Sequence, residues 1–117
     1  MEIVIQGRVI SKKNNVRYNR GFATHSKSWF RFEREALHEL GKLKLKYIKP
    51  PYKINYTFYM KGRGATDVDN MIAGINDILQ KAGVIEDDKH VHSGGFDKVL
   101  NSDSYYTVVN VESLKIK

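Results

Sequence analysis

The chain has 117 residues, 41% of them hydrophobic and 28% charged, which excludes a disordered protein and predicts one domain over residues 1–117. It has no cysteine, so disulfides, zinc ribbons and thiol catalysis are excluded, and no apolar run approaches the roughly 20 residues of a membrane span; we expect a soluble, cytoplasmic protein. The net charge of +7 is divided unevenly, because residues 1–63 hold 15 Lys/Arg against 4 Asp/Glu and residues 64–117 hold 5 against 9.

The first half of the chain predicts a strand, a polar arm and a helix. Residues 2–10 (EIVIQGRVI) are rich in β-branched residues, with a possible bend at Gly7. Residues 11–21 are basic and rich in turn formers, which predicts a loop or arm. A helix is predicted over about residues 27–47, since apolar residues there recur every three or four positions: Trp29, Phe32, Ala36, Leu40, Leu43 and Tyr47.

The second half predicts a strand, a helix and two more strands. Residues 53–61 alternate between apolar and polar side chains. Residues 68–82 carry an apolar helical face and are followed by Gly83, a common residue after a helix. The last strands are expected at about 91–99 and 105–112. The order β–α–β–α–β–β predicts an α+β domain with two helices packed on a four-stranded mixed or antiparallel sheet.

An acidic motif stands where the middle strand gives way to the second helix. Asp67 and Asp69 are two residues apart, and in extended backbone their side chains point the same way. Two ionised carboxylates that lie close together need a cation or a raised pKa, and their hard oxygens suit Mg²⁺ or Mn²⁺. An EF-hand is excluded because Met71 and Ile72 stand where that loop needs an oxygen ligand and a glycine.

Asp88 is a third candidate ligand. A helix over residues 68–82 is roughly 21 Å long. If the chain reverses at Gly83, residues 84–88 reach back at most about 17 Å, so Asp88 nearly returns to the start of the helix. The alternative interpretation is structural: Asp67 is an ordinary helix cap, Asp69 is favoured by the helix dipole, and residues 86–88 form an exposed turn.

The order and spacing of several short motifs resemble the RusA-type Holliday-junction resolvases. That family's D-L-D-N-L motif, its A-G segment and its D-D pair resemble residues 67–71, Ala82-Gly83 and Asp87-Asp88. Its N-terminal pattern resembles residues 13–18 (KNNVRY) and 24–26 (THS). The resemblance covers most of the chain and implies a homodimeric, Mg²⁺-dependent endonuclease that resolves four-way DNA junctions in recombination and repair, of a kind common in phages and prophages.

Carried over residue by residue, the resemblance implies that Asp67, Asp69 and Asp88 are the catalytic, metal-binding aspartates and that Asn70 supports them. Hydrolysis at such a site leaves a 5′-phosphate and a 3′-hydroxyl. The chain departs from the family at Ala73, where the family has a functional lysine. The cations that could replace it are Lys61, Arg63 and Lys89.

The polar arm is the expected DNA-binding element, because cations and amides that contact phosphates position DNA without reading its sequence. Its candidate residues are Lys12, Lys13, Asn14, Asn15, Arg17, Tyr18 and Arg20. The alternative for the arm is a solvated loop. His90 and His92 flank the acidic segment, but surface or strand-pairing histidines are the more common case.

Two other functions stay open. The chain could be a non-catalytic DNA-binding protein on the same fold, or a metal-dependent nuclease acting on flaps or single strands. A homodimer is expected because a four-way junction has approximate two-fold symmetry and needs two nicks, whereas each chain carries one carboxylate cluster.

Overall fold

The computed structural model describes residues 1–10, 16–19, 22–25, 27–64 and 66–114, with side chains undescribed for 16–19, 22–25 and Lys27. The elements, in chain order, are β1 (Glu2–Gln6), β2 (Val16–Asn19), β3 (Phe22–His25), α1 (Lys27–Lys42), β4 (Tyr52–Tyr59), α2 (Val68–Lys81), a 3₁₀ turn (Asp88–His90), β5 (Val91–Val99) and β6 (Tyr106–Ser113). The predicted α+β class, with two helices and a four-stranded mixed sheet, is confirmed.

The main sheet has the strand order β1-β6-β4-β5. β4 and β5 run parallel and are joined through α2, as a parallel pair requires a crossover. The β1–β6 and β4–β6 pairs are antiparallel. This topology makes β1 and β5 the two edge strands.

The core lies between the sheet and the two helices. On β4, alternate side chains from Tyr52 to Met60 are buried, as the sequence alternation predicts. α1 contributes Trp29, Phe32, Ala36 and Leu40, and α2 contributes Met71, Ile75, Ile78 and Leu79. Each large apolar side chain removed from water in this way contributes about 1.5–3 kcal/mol to folding, before the entropy cost of ordering the chain.

α1 ends at Lys42 rather than at about residue 47, so the predicted end of this helix is wrong. Leu43 and Tyr47, which the periodicity assigned to its apolar face, lie beyond it and are half exposed. The segment that follows is tied down elsewhere, because the amide of Ile48 donates to the carbonyl of Val84. That long-range bond competes with continuation of the helix.

Part of the predicted loop at residues 11–21 is regular structure. β2 and β3 form an antiparallel hairpin in which Val16 pairs with His25 and Asn19 pairs with Phe22. The β-forming residues Val16 and Tyr18 alternate along β2, but the strand depends on a partner that local composition does not reveal. The first strand is also shorter than predicted, since it stops before Gly7, which has φ +97°.

β5 occupies the span predicted for it, yet none of its nine residues is buried. Phe96, in register with Tyr56, is 49% exposed on the sheet face that α2 covers elsewhere. Gly94 has φ +122°, and a Cβ added there would overlap the carbonyl of Ile54 on β4. β5 therefore packs closely against β4, while its outer edge pairs with no strand of the described residues.

Within the part of the chain that the structure describes, no helix combines the length and apolar character needed to cross a membrane.

Candidate functional site

The acidic pair is built into the start of α2. Asp67 is the helix cap in extended backbone, and its Oδ1 accepts the amide N–H of Asp69 at 2.9 Å. The cap satisfies a donor that the first turn would otherwise leave free, and Asp69 in that turn is favoured by the helix dipole. Both side chains are exposed, whereas the neighbouring Asn70 is half buried. The structure thus links Asp67 to Asp69 through the Asp69 amide, with Asp69 in the first turn of the helix rather than in the extended backbone that the prediction assumed.

Asp88 returns to α2, but to its last turn and not to its start. The chain reverses at Gly83, which has φ +75°, as the sequence predicts. Val84 and Ile85 are then buried in the core, which uses up the length that the predicted return needed. The amide of Asp88 donates to Oε1 of Gln80 at 2.8 Å. Gln80 lies 11 residues beyond Asp69, roughly 16 Å along the helix axis.

Negative charge accumulates around Asp88. Burial raises the pKa of the Asp88 carboxyl, and the carboxylates of Asp87 and Asp77 raise it further. The pKa of Asp87 is lowered, chiefly because its carboxylate accepts the backbone N–H of Lys89. Asp77 was not among the predicted site residues, although it follows Asp69 by eight positions on the same helix. Eight residues are about two and a quarter helical turns, so its spacing from Asp69 does not place it on the same face, and no sequence signal marked it.

The oxygen donors at both ends of α2 fit Mg²⁺ by their chemistry. Mg²⁺ is commonly held by one or two carboxylates together with waters and substrate phosphates, and Asp67 and Asp69 alone supply that number. Over the described ranges, however, no group of three or more Asp, Glu or His side chains is disposed to hold a metal ion. The three-aspartate cluster of Asp67, Asp69 and Asp88 therefore stays a prediction.

One stripe of α2 connects the two acidic ends. Asp69, Ile72, Asn76 and Gln80 follow one another at helical spacing on the same side of the helix. Asn76 is 6% exposed, and its Oδ1 accepts the hydroxyl of Tyr56 at 2.6 Å. Burial raises the pKa of Tyr56 to about 12, and the charge of Asp88 acts in the same direction.

This stripe borders an open groove of about 420 Å³ between α2 and β5. Its floor is formed by β4, and its walls by Ile72 and Asn76 on one side and by His92 and Phe96 on the other. The groove exists because β5 extends the sheet beyond the area that α2 covers. His90 lies in the 3₁₀ turn, and His92 lies at an irregularity of the β4–β5 register.

Lys98 is a cation at the acidic end that sequence reasoning missed. Its Nζ donates to the carbonyl oxygens of Gly64 at 3.1 Å and Thr66 at 2.7 Å, directly before Asp67. Lys98 shares the α2-facing side of β5 with Phe96, since the two are in register with Phe58 and Tyr56. Strand alternation in the sequence predicts which side of β5 Lys98 lies on, but it does not predict the loop that Lys98 contacts.

The predicted cations have other positions. Lys61 and Arg63 are exposed in the connection between β4 and α2, and Lys89 is exposed in the 3₁₀ turn beside Asp88. Of the predicted arm residues, Arg17 and Tyr18 lie on β2. The others, Lys12, Lys13, Asn14, Asn15 and Arg20, lie outside the described residues.

Neither the protein-family models nor the curated proteins contain a match to this chain.

Proposed function

We propose that this protein is a Mg²⁺-dependent endodeoxyribonuclease that cuts branched DNA and resolves four-way junctions. The observation that carries the proposal is the stripe of α2 described above. It has Asp69 at its start and, near its end, Gln80 hydrogen-bonded to Asp88, and it faces an open groove. The groove is lined by the middle of this stripe, Ile72 and Asn76, and the carboxylates lie at the two ends of the stripe. In a chain of net charge +7, such carboxylates suit a divalent cation and a polyanionic substrate.

Asp67 and Asp69 are the residues that would hold Mg²⁺, whereas Asp88, predicted from the sequence as the third ligand, lies beside the last turn of α2. Bound Mg²⁺ supplies an acidified water and stabilises charge on the phosphate. The protein's own contribution begins with Asp67, which fixes the first turn of α2 through its bond to the amide of Asp69. Lys98 holds the preceding loop by two carbonyl contacts, so the acidic pair has a defined orientation.

Lys98 is also a candidate to replace the lysine that the resemblance implies at the position of Ala73. The ammonium group of Lys98 donates to the carbonyl of Thr66, the residue directly before Asp67. It is held there by partly buried contacts, whereas Lys61, Arg63 and Lys89 are exposed. We propose Lys98 as the cation of this site in place of those three.

The polar arm, residues 11–21, is proposed to contact DNA phosphates without recognising the base sequence. Replacing Lys12, Lys13 and Arg17 together by Ala should weaken DNA binding and flatten its dependence on salt, by about 0.9 log unit per lost duplex phosphate contact. The measurement is the slope of log affinity against log salt concentration. An unchanged slope would mean that these residues face solvent in the complex.

A homodimer is part of the proposal, and the uncovered edge of β5 supports it. A long exposed edge strand presents unpaired backbone groups that another strand can bind. If β5 pairs antiparallel with itself about Gly95, Val91 of one protomer lies opposite Val99 of its partner, and Ser93 lies opposite Asp97. Such a pair extends the sheet across a two-fold axis and gives two sites for two nicks.

One observation favours the non-catalytic alternative. The chain has Ala73 where the resemblance implies a functional lysine, and a DNA-binding protein on this fold would not need that lysine. Such a protein would bind junctions equally well with Mg²⁺ or with EDTA and would cut nothing.

The deciding experiment incubates the protein with Mg²⁺ and an end-labelled four-way junction, beside linear duplex and flap substrates of the same sequence. The proposal expects paired nicks in opposing strands of the junction, none in the duplex, and loss of cutting in EDTA. Preferential cutting of the flap would favour the flap or single-strand nuclease. Binding without cutting of any substrate would favour the non-catalytic protein.

A further inference from the structure

The groove between α2 and β5 has the makings of a ligand site in its own right. Its volume of about 420 Å³ is within the range of small-molecule pockets. Its floor is apolar at Ile54, and Gly94 and Gly95 leave the β5 side free of side chains over two successive residues. A flat ring would therefore meet little obstruction there.

A buried polar group points to the kind of ligand. Asn76 is 6% exposed, and its Oδ1 is taken by the Tyr56 hydroxyl. Its Nδ2 finds no hydrogen-bond acceptor among the residues that the structure describes, yet Asn76 lines the groove. This N–H group opens onto the groove, so an acceptor atom of a ligand can take the place of solvent there.

An aromatic side chain completes the site. Phe96 stands 49% exposed on the opposite wall, so its ring is accessible to a ligand that enters the groove. A ring face on one wall and an amide donor on the other are the two elements with which proteins hold unstacked bases. The ligand that satisfies both is a planar heterocycle with an acceptor atom on its edge.

We propose that this groove captures one unpaired nucleobase of the DNA substrate, stacked on Phe96 and hydrogen-bonded by Nδ2 of Asn76. The inference rests on the proposed function, since it takes DNA as the ligand, and it names how that site engages its substrate. The groove lies on the same side of α2 as Asp69, so a base held there belongs to a strand that passes the acidic residues. Bases that are already unpaired cost the least to extrude, which favours a branch point over intact duplex.

The test measures binding rather than cleavage, in EDTA and at one salt concentration. A series of four-way junctions carries a single base-free sugar at successive positions around the branch point. For the unmodified protein, one position should weaken binding by roughly 5- to 150-fold, the range that base–aromatic stacking covers, and the others should have little effect.

Phe96→Ala should weaken binding of the intact junction by a similar factor and should abolish the sensitivity to the base-free position. Phe30→Ala is the matched control, because Phe30 is also about half exposed but lies on α1. It should behave like the unmodified protein. Asn76→Asp keeps an acceptor for Tyr56 and removes the donors, so it should also lose the positional effect; a urea titration checks that it folds.

The outcomes separate the two proposals. A junction that is bound and cut, with no sensitive position or with sensitivity retained in Phe96→Ala, overturns the groove proposal alone. A sensitive position that disappears in Phe96→Ala, without any Mg²⁺-dependent cutting, supports the groove and overturns the nuclease. Failure to bind any DNA overturns both.

Discussion

The two edge strands of the sheet, β1 and β5, differ in what covers them. β1 alternates strictly, with Ile3 and Ile5 buried beside α1, so its inner face belongs to the core. β5 is longer, and none of its nine residues is buried, although its neighbour β4 is followed in the chain by α2. The comparison indicates that the β1 edge contributes to folding, whereas the β5 edge adds exposed surface, which our proposals assign to DNA and to a second protomer.

The largest expected effect is on the cleavage rate, and it comes from a substitution at the start of α2. Asp69→Asn should reduce Mg²⁺-dependent cleavage by roughly 10³-fold or more, because the proposed site loses charge and metal affinity together. Junction binding should be retained or become tighter, since a negative charge facing DNA is removed. Single-turnover cleavage and gel-shift titrations measure the two quantities. Asp103→Asn, an exposed carboxylate in the turn between β5 and β6, is the control, and native-rate cutting by Asp69→Asn would show that the proposed site is wrong.

The two edges should differ in their contribution to stability. Ile5→Ala is expected to lower the free energy of unfolding by about 3 kcal/mol, because Ile5 is 2% exposed and its loss leaves a cavity. Phe96→Ala removes a larger side chain but should cost less than about 1 kcal/mol, since Phe96 is only partly covered. Urea unfolding at one protein concentration compares them. Equal losses would mean that β5 is packed in solution as β1 is.

Lys98→Met should lower the cleavage rate about tenfold, because hydrogen bonds from a charged group typically contribute 1.5–3 kcal/mol and these hold the loop before Asp67. Lys53→Met is the matched control, since Lys53 lies on the opposite face of the neighbouring strand β4. The rate is measured at saturating protein. Equal effects of the two substitutions would assign Lys98 a general electrostatic role only.

The last comparison tests whether either edge strand forms the interface between protomers. At micromolar concentration, equilibrium ultracentrifugation should give about twice the 13.5 kDa chain mass. Val99→Lys should yield monomers, because a lysine on an edge strand opposes pairing. Val4→Lys places the same charge on an exposed valine of the β1 edge and should remain dimeric. A monomeric unmodified protein would count against paired cutting, and a dimer that survives Val99→Lys would move the interface away from β5.

Much of the fold could be predicted because the local patterns agree with the tertiary structure. The alternation of β4 and the apolar stripe of α2 are both reproduced in the core. The end of α1 could not be predicted, since it depends on the bond between Ile48 and Val84. Neither could the uncovered state of β5, which follows from its place at the edge of the sheet rather than from its composition.

The candidate site was predictable to a similar extent. The pairing of Asp67 with Asp69 follows from adjacency at a helix start. The return of Asp88 was estimated from chain length alone, and the burial of Val84 and Ile85 shortens it. The contact of Lys98 with the loop joins residues more than 30 positions apart, and no local pattern encodes such a contact.

Gly94 has a consequence for how the sequence of this protein can vary. The residue is exposed, and exposed positions usually accept most side chains. Any Cβ at Gly94 would overlap the backbone of Ile54, and its φ of +122° disfavours every other amino acid. A saturation mutagenesis experiment would therefore find a surface position as intolerant as the core, next to Gly95, where an added Cβ meets nothing within 4 Å. At this pair of glycines, solvent exposure ceases to be a guide to mutational tolerance.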